Sequence, residues 1–416
     1  MYNRLIISRL SETIKTPFVH ILFGARQTGK STLLKRLVPN ASIWLDFSDP
    51  SLKMEYFTRP ELFINQCKAI PISDTPSFVV VDEVQTVPSI FDSVQSLYDS
   101  DKERWRFVLS GSSARKVRSS TVNLLPGRSI MHNLYPLTSI ERPFPETEAC
   151  KYSVTIPFTR ELTLMPGLED TFPSTGLVER LSYGELPGIA YAPAESRNGL
   201  LKTYSLVYIE EEIRREAHVK NLTAFSRFLQ LAAAESGNML NYAKIAKDAA
   251  VSIPTIKSYF QLLEDMFICF RIPAFSKSAR KNLLSTERMC FFDLGVRHSS
   301  AGLKACPDTV LANPGPIFEQ WVGIELWKRL KYMGEGQLHY LRSNSGAEID
   351  YIIECGNKYV PIEVKWTEYP DRKDARHLEW FMKENSKKVE KAYVVCRCKM
   401  PMEISENIIA VPYHLL

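Results

Sequence analysis

Residues 24–31 constrain this chain more than any other stretch. They read Gly24, Ala25, Arg26, Gln27, Thr28, Gly29, Lys30 and Ser31, a full match to G-x-x-x-x-G-K-[ST]. Average residue usage gives such a match by chance in roughly one chain in a hundred of this length. The context fits as well: the apolar run FVHILF (18–23) reads as a strand before it, and KSTLLKRLV (30–38) has helical spacing after it. Each residue type has a physical reason. Gly24 and Gly29 let the backbone bend so that its N–H groups point at phosphate. The helix that follows adds its positive N-terminal end. Lys30 reaches the β- and γ-phosphates, and the Ser31 hydroxyl ligates magnesium. Residues 24–31, with Thr32 after them, are the expected nucleotide contacts. ATP and Mg2+ are the expected cofactors. A glycine turn into a helix without a ligand is the plain alternative.

The rest of the first third agrees with that placement. SIWLDF (42–47) reads as a strand, and SFVVVD (77–82) is a continuous β-branched run, as expected of a strand buried on both faces of a parallel sheet. Residues 89–99 look helical, and WRFVLS (105–110) is a further strand ending at Gly111. The alternation predicts an α/β fold with a doubly wound parallel sheet. Asp82 and Glu83 end the apolar strand FVVV, where an acid pair lies beside the phosphate loop in this architecture. Asp82 would hold magnesium, usually through water, and Glu83 would polarise the attacking water. The next strand ends in Ser110-Gly111-Ser112-Ser113, and Ser112 is the candidate contact to the γ-phosphate or the water. A Ser-rich turn is the alternative. Arg115 and Arg128 follow. Arg128, in L-P-G-R before the strand-like SIMHNLY, could reach a neighbouring subunit's nucleotide and stabilise transition-state charge; a solvated surface arginine explains it equally.

At 416 residues the chain is too long for one hydrophobic core, so two or three domains are expected. Hydrophobic residues at 45% and charged residues at 24% are ordinary for a folded soluble protein. No run is long and apolar enough for a membrane helix, so no membrane partner is expected. The N-terminal stretch MYNRLIISRLSETIKTPF carries charges within its apolar parts and does not read as a signal peptide, which makes the cytoplasm the expected compartment. A net charge of +5 excludes a strongly acidic protein and leaves DNA open as a partner. Of the 8 cysteines only Cys396 and Cys398 are close, on one face of an apolar strand, which suits packing as well as a ligand role.

Several motifs in order, GARQTGKST, VVVDEVQ, LSGSSAR, LPGR and YPLTSIE, then LPGIA, TYSLVYIEEEI, GNMLNYAKIAKDAAVSIPTIKSYFQLLEDMFI, CFFDLGVR, FEQWVGIEL, AEIDYII and PIEVKW, resemble prokaryotic AAA-type ATPases fused to a DUF4143 region. The resemblance covers nearly the whole chain. The phosphate loop is specific on its own and the others as an ordered set; residues 142–180 match nothing in the family. The resemblance implies an AAA-type ATPase core, a winged-helix-like middle and a C-terminal restriction-endonuclease-like domain. AAA-type cores often form rings, so a homo-oligomer, ring or otherwise, is in view. The expected division is 1–140 for the ATPase, 141–195 for a proline-rich linker or irregular insertion, 196–312 for a helical winged-helix-like domain and 313–416 for a small α/β nuclease-like domain.

Within the middle, NYAKIAKDA (241–249) and SIPTIKSYFQLLEDM (252–266) read as two helices joined by a short turn, with Asn241 and Ser252 as N-caps and Pro254 in a first turn. Ile245, Ala246, Ile256, Phe260 and Leu263 would face the core, leaving Thr255, Lys257 and Ser258 exposed. Such a helix can enter the DNA major groove, with Lys277, Arg280 and Lys281 on nearby phosphates. Packing or protein contact is the alternative, since the second helix also carries Glu264 and Asp265. In the last domain Asp350 ends A-E-I-D on one strand, and Glu363 and Lys365 lie in I-E-V-K on the next, on one face. This D…E-x-K pattern resembles the nuclease-fold site, where two carboxylates gather magnesium and the lysine orients water. Glu319 on the preceding helix could be a further ligand, as in junction-resolving nucleases, and Glu348 shares a face with Asp350. Three readings stand: a metal-dependent nuclease, a fold that binds DNA without cutting, and a structural domain whose charges pair with each other. The sequence thus predicts a magnesium-dependent ATP hydrolase acting on duplex or branched DNA, with a nucleotide-switched scaffold for protein partners as the other reading.

Overall fold

Val19–Phe23 (β1), Ile43–Asp46 (β2), Ser77–Asp82 (β3), Trp105–Gly111 (β4) and Ser129–Asn133 (β5) form one five-stranded sheet in the order β2-β3-β4-β1-β5 in the computed structural model. Every pairing in it is parallel. The structure describes residues 3–113, 126–149, 156–157, 162–167, 172–216, 221–276, 286–343 and 346–416. β1 and β4 are buried along their whole length, because helices cover both faces of a parallel sheet. Strand alternation sorts their side chains between two cores. Val19, Ile21 and Phe23 join Phe107 and Leu109 on one face. Leu22, Val80 and Val108 pack on the other, against Leu33 and Leu34 of the helix Lys30–Leu37.

A helical region follows. Its core gathers Leu186, Ile189, Phe225, Phe228, Ile256, Phe260 and Leu263. Tyr242–Ala249 and Ile253–Asp265 form the expected pair of helices, capped by Asn241, which accepts from Lys244 N at 3.0 Å, and by Ser252, which accepts from Thr255 N at 3.3 Å. Ile245, Ala246, Ile256, Phe260 and Leu263 are all buried, while Lys257 and Ser258 are exposed. The pair leads into an antiparallel two-stranded ribbon, Cys269–Ile272 (β6) with Arg288–Phe291 (β7). Lys277, Arg280 and Lys281 lie outside the described residues, as does Arg115.

The stretch 141–195 carries core side chains that its composition hides. Phe144, Leu177 and Leu181 are buried with the C-terminal region, and Leu186 and Ile189 with the helical one. Its helices are short, Leu177–Tyr183 and Pro187–Tyr191 among them, and such lengths give too few turns for a 3.6-residue period to show.

The C-terminal region lays the long helix Pro314–Met333 and the helix Arg376–Glu384 on a mixed sheet. Its strands are Gln337–Arg342 (β8), Glu348–Cys355 (β9), Lys358–Val364 (β10), Ala392–Cys396 (β11), Met402–Ser405 (β12) and Ile408–Pro412 (β13), ordered β12-β13-β11-β10-β9-β8. β8, β9 and β10 pair antiparallel, whereas β10, β11 and β13 run parallel. Cys396 and Cys398 are buried in one of the two cores. Among the described residues no helix is long and apolar enough to cross a membrane.

Candidate functional site

The loop after β1 turns sharply into the helix Lys30–Leu37. Gly29 adopts φ 95° as its N-cap, a left-handed geometry that glycine takes without strain. Gly24 is required for a different reason: a Cβ there would lie 2.3 Å from the carbonyl oxygen of Leu134. Lys30 is 5% exposed, and its ammonium donates to the carbonyls of Gly24 (2.9 Å) and Ala25 (3.1 Å) inside the curl of the loop. Thr28 Oγ1 closes the curl on Ala25 O at 2.9 Å.

The loop is clamped from behind by a residue that sequence reasoning passed over. Arg4 donates through Nη1 to Thr28 O (2.8 Å), through Nη2 to Tyr135 O (2.6 Å) and through Nε to Glu141 Oε1 (2.8 Å). Both members of the ion pair are buried. Burial opposes the Arg4 charge, but Glu141 and Tyr332 outweigh it and hold the guanidinium protonated.

Across the cleft, Asp82 is 2% exposed at the end of β3, and its Oδ1 accepts from Ser110 Oγ and from Glu83 N at 3.0 Å. Glu83 has φ 52° and ψ 40°, a left-handed backbone unusual for a residue with a Cβ; such strain gathers at functional sites. Its Oε2 accepts from Ser112 Oγ at 2.9 Å and from Gln85 Nε2 at 2.5 Å. Gln85 Nε2 also reaches Ser112 Oγ at 3.0 Å, so the three side chains form one clamp. Gln85 was not singled out from the sequence; its signal was its place two residues past the acid pair, where the Val84–Thr86 turn folds it back. Its other amide atom, Oε1, is buried with no hydrogen-bond partner among the described residues.

A cleft of about 660 Å³ is lined by Lys30, Ser31 and Glu83 and by Pro187, Gly188 and Tyr208 of the helical region. Arg26, Gln27 and Thr32 also line it. The Ser31 hydroxyl and the Asp82 carboxylate are a hard-oxygen donor pair, which suits magnesium. Arg26 lies over the Tyr208 ring (5.6 Å to the centroid), with Nη1 3.6 Å from Glu211 Oε2, while the Tyr204 hydroxyl donates to Arg26 O at 3.2 Å. The phosphate loop therefore touches the helical region at the π-helical turn Tyr204–Tyr208. Arg128 is not brought to this chain's cleft. Its carbonyl accepts from Val19 N at 2.9 Å, at the amino end of β1 and so at the end of the strands away from the phosphate loop, and its Nε pairs with Asp99 at 2.6 Å.

In the C-terminal region, β9 and β10 bring Asp350, Glu363 and Lys365 together. Asp350 Oδ2 accepts from Val364 N (2.8 Å), Glu363 Oε2 accepts from Asp350 N (3.4 Å), and Lys365 Nζ donates to Glu363 Oε1 (2.9 Å). Asp350 and Glu363 are buried, whereas Glu319 and Glu348 are partly exposed. Burial first and Asp350 second push Glu363 up to about 8, with Lys365 pulling the other way. Burial and then Asp350 likewise push Glu319 up to about 7 against the pull of Arg288, and burial raises Asp350 itself. Among the described residues no three carboxylate, imidazole or thiol side chains are arranged to hold a metal ion. Basic side chains face the acids of the expected metal set, Glu319, Asp350 and Glu363: Lys365 meets Glu363 at 2.9 Å, and Arg288 of β7 takes Glu319 Oε1 through Nη1 at 2.6 Å and the neighbouring Glu348 Oε1 through Nη2 at 2.9 Å. Nothing in the sequence places a ribbon arginine beside those acids.

Three families account for most of the chain. Residues 16–142 match the AAA domain, residues 314–416 match a domain of unknown function (DUF4143), and residues 174–306 match another (DUF8612). An uncharacterised protein of Haemophilus influenzae is 22% identical over 401 residues, covering 92% of this chain and 91% of that protein. An uncharacterised protein of Mycobacterium tuberculosis is 21% identical over 365 residues, covering 87% and 74%. Among solved structures, a DNA polymerase III gamma subunit-related protein from Thermotoga maritima aligns over 62% of this chain and 97% of its own, with 15% identity and a TM-score of 0.27. PCH-2 of C. elegans aligns over 63% and 65%, with 15% identity and a TM-score of 0.25.

Proposed function

We propose that this chain, which joins an AAA domain to a DUF4143 region, is a magnesium-dependent ATP hydrolase that binds DNA and remodels or processes it. The observation that supports hydrolysis most is one cleft lined both by Lys30, whose ammonium lies inside the loop curl, and by Glu83, clamped by Ser112 and Gln85. The N–H groups of residues 24–31 and the Lys30 ammonium take the phosphates. Ser31 and Asp82 would hold the magnesium, which would supply positive charge against the phosphates. Glu83 orients water for attack, and Ser112 and Gln85 fix where its carboxylate points. Arg128 can serve only a neighbouring copy's nucleotide, in a homo-oligomer.

Support for DNA comes from the capped helix pair, with Lys257 and Ser258 exposed on its second helix, followed by the β6–β7 ribbon. A helix pair followed by an antiparallel ribbon is a layout suited to groove and backbone contact. Asp350, Glu363 and Lys365 would then act on the DNA backbone as a metal-dependent endonuclease site. A second reading is favoured by one observation, the pairing of Glu319 and Glu348 with Arg288 and of Glu363 with Lys365. On that reading the C-terminal region is inactive and the nucleotide state controls protein partners.

The test measures ATP hydrolysis with magnesium, with and without duplex, single-stranded and branched DNA, and runs the same DNA on a gel. Lys30→Ala should abolish turnover while the circular dichroism stays unchanged; undiminished hydrolysis in that variant rejects the site. Stimulation by DNA, with cleavage lost in Asp350→Ala, supports the first reading. Basal turnover with no DNA binding moves the conclusion to the second.

A further inference from the structure

We propose that Arg288 is the resident cation of the C-terminal carboxylate cluster, and that its guanidinium and a divalent metal ion exclude one another there. The inference rests on the reading of Asp350, Glu363 and Lys365 as a metal-dependent site, and it adds what decides whether that site is loaded. Arg288 belongs to β7, in the helical region, whereas the acids belong to the long helix and to β9 and β10. Its two terminal nitrogens reach across to two different carboxylates, Glu319 at 2.6 Å and Glu348 at 2.9 Å, with the arginine side chain 8% exposed. The guanidinium carbon lies 4.6 Å from the centroid of the Tyr340 ring. The Tyr340 hydroxyl donates to Thr286 O at 2.6 Å, two residues before Arg288, and so fixes the ribbon where the arginine needs it. This is a built seat, assembled from a ring, two acids and a hydrogen bond to the backbone.

Exclusion follows from distance and charge. Magnesium takes oxygen ligands at about 2.1 Å in near-octahedral geometry. Glu319 Oε1 and Glu348 Oε1 are already turned to the guanidinium, and Glu363 Oε1 to Lys365. In this arrangement the described residues offer no three-donor set. A divalent cation drawn in by Asp350 and Glu363 would also meet the Arg288 charge at close range, and like charges in a buried setting repel by several kcal/mol. Removing the arginine frees two carboxylates beside Asp350 and Glu363. A metal ion then supplies the counter-charge that the arginine supplied.

Binding of Mn2+ to the full-length protein, without nucleotide, tests this through the spin-resonance signal of the free ion. Four proteins are compared: wild type, Asp350→Asn, Arg288→Ala and the double variant. Wild type and Asp350→Asn should bind Mn2+ alike. Arg288→Ala should gain one site, tighter than any wild-type uptake at the cluster by on the order of ten- to a hundred-fold, the usual size of a coupling between two bound groups. The double variant should lose that site. The proposal is overturned if Asp350→Asn already removes a Mn2+ site from the wild type, because the metal would then coexist with Arg288. It is equally overturned if folded Arg288→Ala binds no more than wild type. Should Arg288→Ala fail to fold, Arg288→Gln removes the charge and keeps a hydrogen-bonding amide; Mn2+ affinity above wild type supports the proposal and none above wild type refutes it. If Arg288→Ala takes up the ion yet leaves DNA uncut, the nuclease reading fails while the exclusion stands.

Discussion

Replacing Arg4 with alanine should damage both the stability of the ATPase region and its grip on nucleotide, and the size can be worked from the contacts. Arg4 and Glu141 form an ion pair with side chains 6% and 0% exposed. Breaking such a buried pair by removing one partner costs about 3–5 kcal/mol, since the remaining charge is left in low dielectric. Glu141 keeps other donors, Leu5 N at 2.8 Å, Thr138 N at 2.8 Å and Thr138 Oγ1 at 3.2 Å. These place the loss at the lower end, about 3 kcal/mol. The carbonyls of Thr28 and Tyr135 lose their shared donor at the same time, so the phosphate loop is no longer tied to the segment after β5. We expect a fall of about 3 kcal/mol in urea unfolding followed by circular dichroism, together with a drop in affinity for a fluorescent ATP analogue of roughly tenfold. Arg4→Lys should fall between, because an ammonium can face Glu141 but cannot span three acceptors in fixed directions. A loss below about 1 kcal/mol with unchanged nucleotide affinity would refute the clamp, placing Arg4 among surface pairs of little consequence.

Other outcomes follow from the same geometry. Glu83→Gln should retain ATP binding while turnover in single-turnover assays falls by about a hundredfold or more, as expected when a general base is lost; equal turnover would remove Glu83 from the chemistry. His132 sits buried on β5 with its Nε2 3.2 Å from His20 Nδ1, and burial first, then His20 and Arg9, lower it to about 4. Its folded value lies below its unfolded one, so the unfolded chain binds the proton first. Stability should therefore be full above pH 6.5, the unfolded value, and decline as pH falls toward 4. Unfolding at pH 5 against pH 7 should show about 2 kcal/mol of loss from this residue, absent in His132→Asn. Phe267, at φ 59° in the turn before β6, stacks on Phe23, the last residue before the phosphate loop, at 5.9 Å. Hydrogen exchange in β7 should respond to ATP in the wild type but not in Phe267→Leu; an unchanged response would exclude this ring pair as the link.

What could be read from the sequence divides along a physical line. β1, β3 and β4 were legible because strands covered on both faces must be continuous apolar runs, and the phosphate loop because its chemistry admits few residue types. The helix pair was legible from its caps, since Asn241 and Ser252 act within three residues of themselves. Whatever depends on a partner far along the chain was not. Arg4 finds Glu141, and Arg288 finds Glu319 and Glu348, across sequence separations that no local pattern encodes. The short strands β12 and β13 were missed for a similar reason, as β13 is defined by its pairing with β11 rather than by a long period of its own.

Those long-range contacts also say which part of the molecule is free to respond to nucleotide. Glu325 of the long C-terminal helix is 1% exposed and bonds Lys328 (3.0 Å), Arg329 (2.9 Å) and Ser139 N (3.0 Å), while Arg329 also reaches Ser139 Oγ at 2.6 Å. Burial works against this carboxylate, yet Lys328 and Arg329 prevail and hold it at about 2. A buried, fully bonded network of this kind does not slide, because any shift strands a charge at several kcal/mol. The segment after β5 and the long helix of the C-terminal region are thus joined firmly. The helical region meets the nucleotide cleft through weaker contacts: an ion pair at 3.6 Å with both side chains partly exposed, a ring contact at 5.6 Å, the Tyr204 hydrogen bond to Arg26 O at 3.2 Å and the Phe23–Phe267 ring pair at 5.9 Å. Contacts of that sort contribute at most about 1 kcal/mol each, within reach of a phosphate competing for Arg26. Movement driven by nucleotide should therefore appear first in the helices beside the cleft, around Tyr204–Tyr208, while the β6–β7 ribbon stays with the C-terminal sheet, to which Phe275 N and Tyr340 O (2.6 Å) and the Arg288 ion pairs hold it.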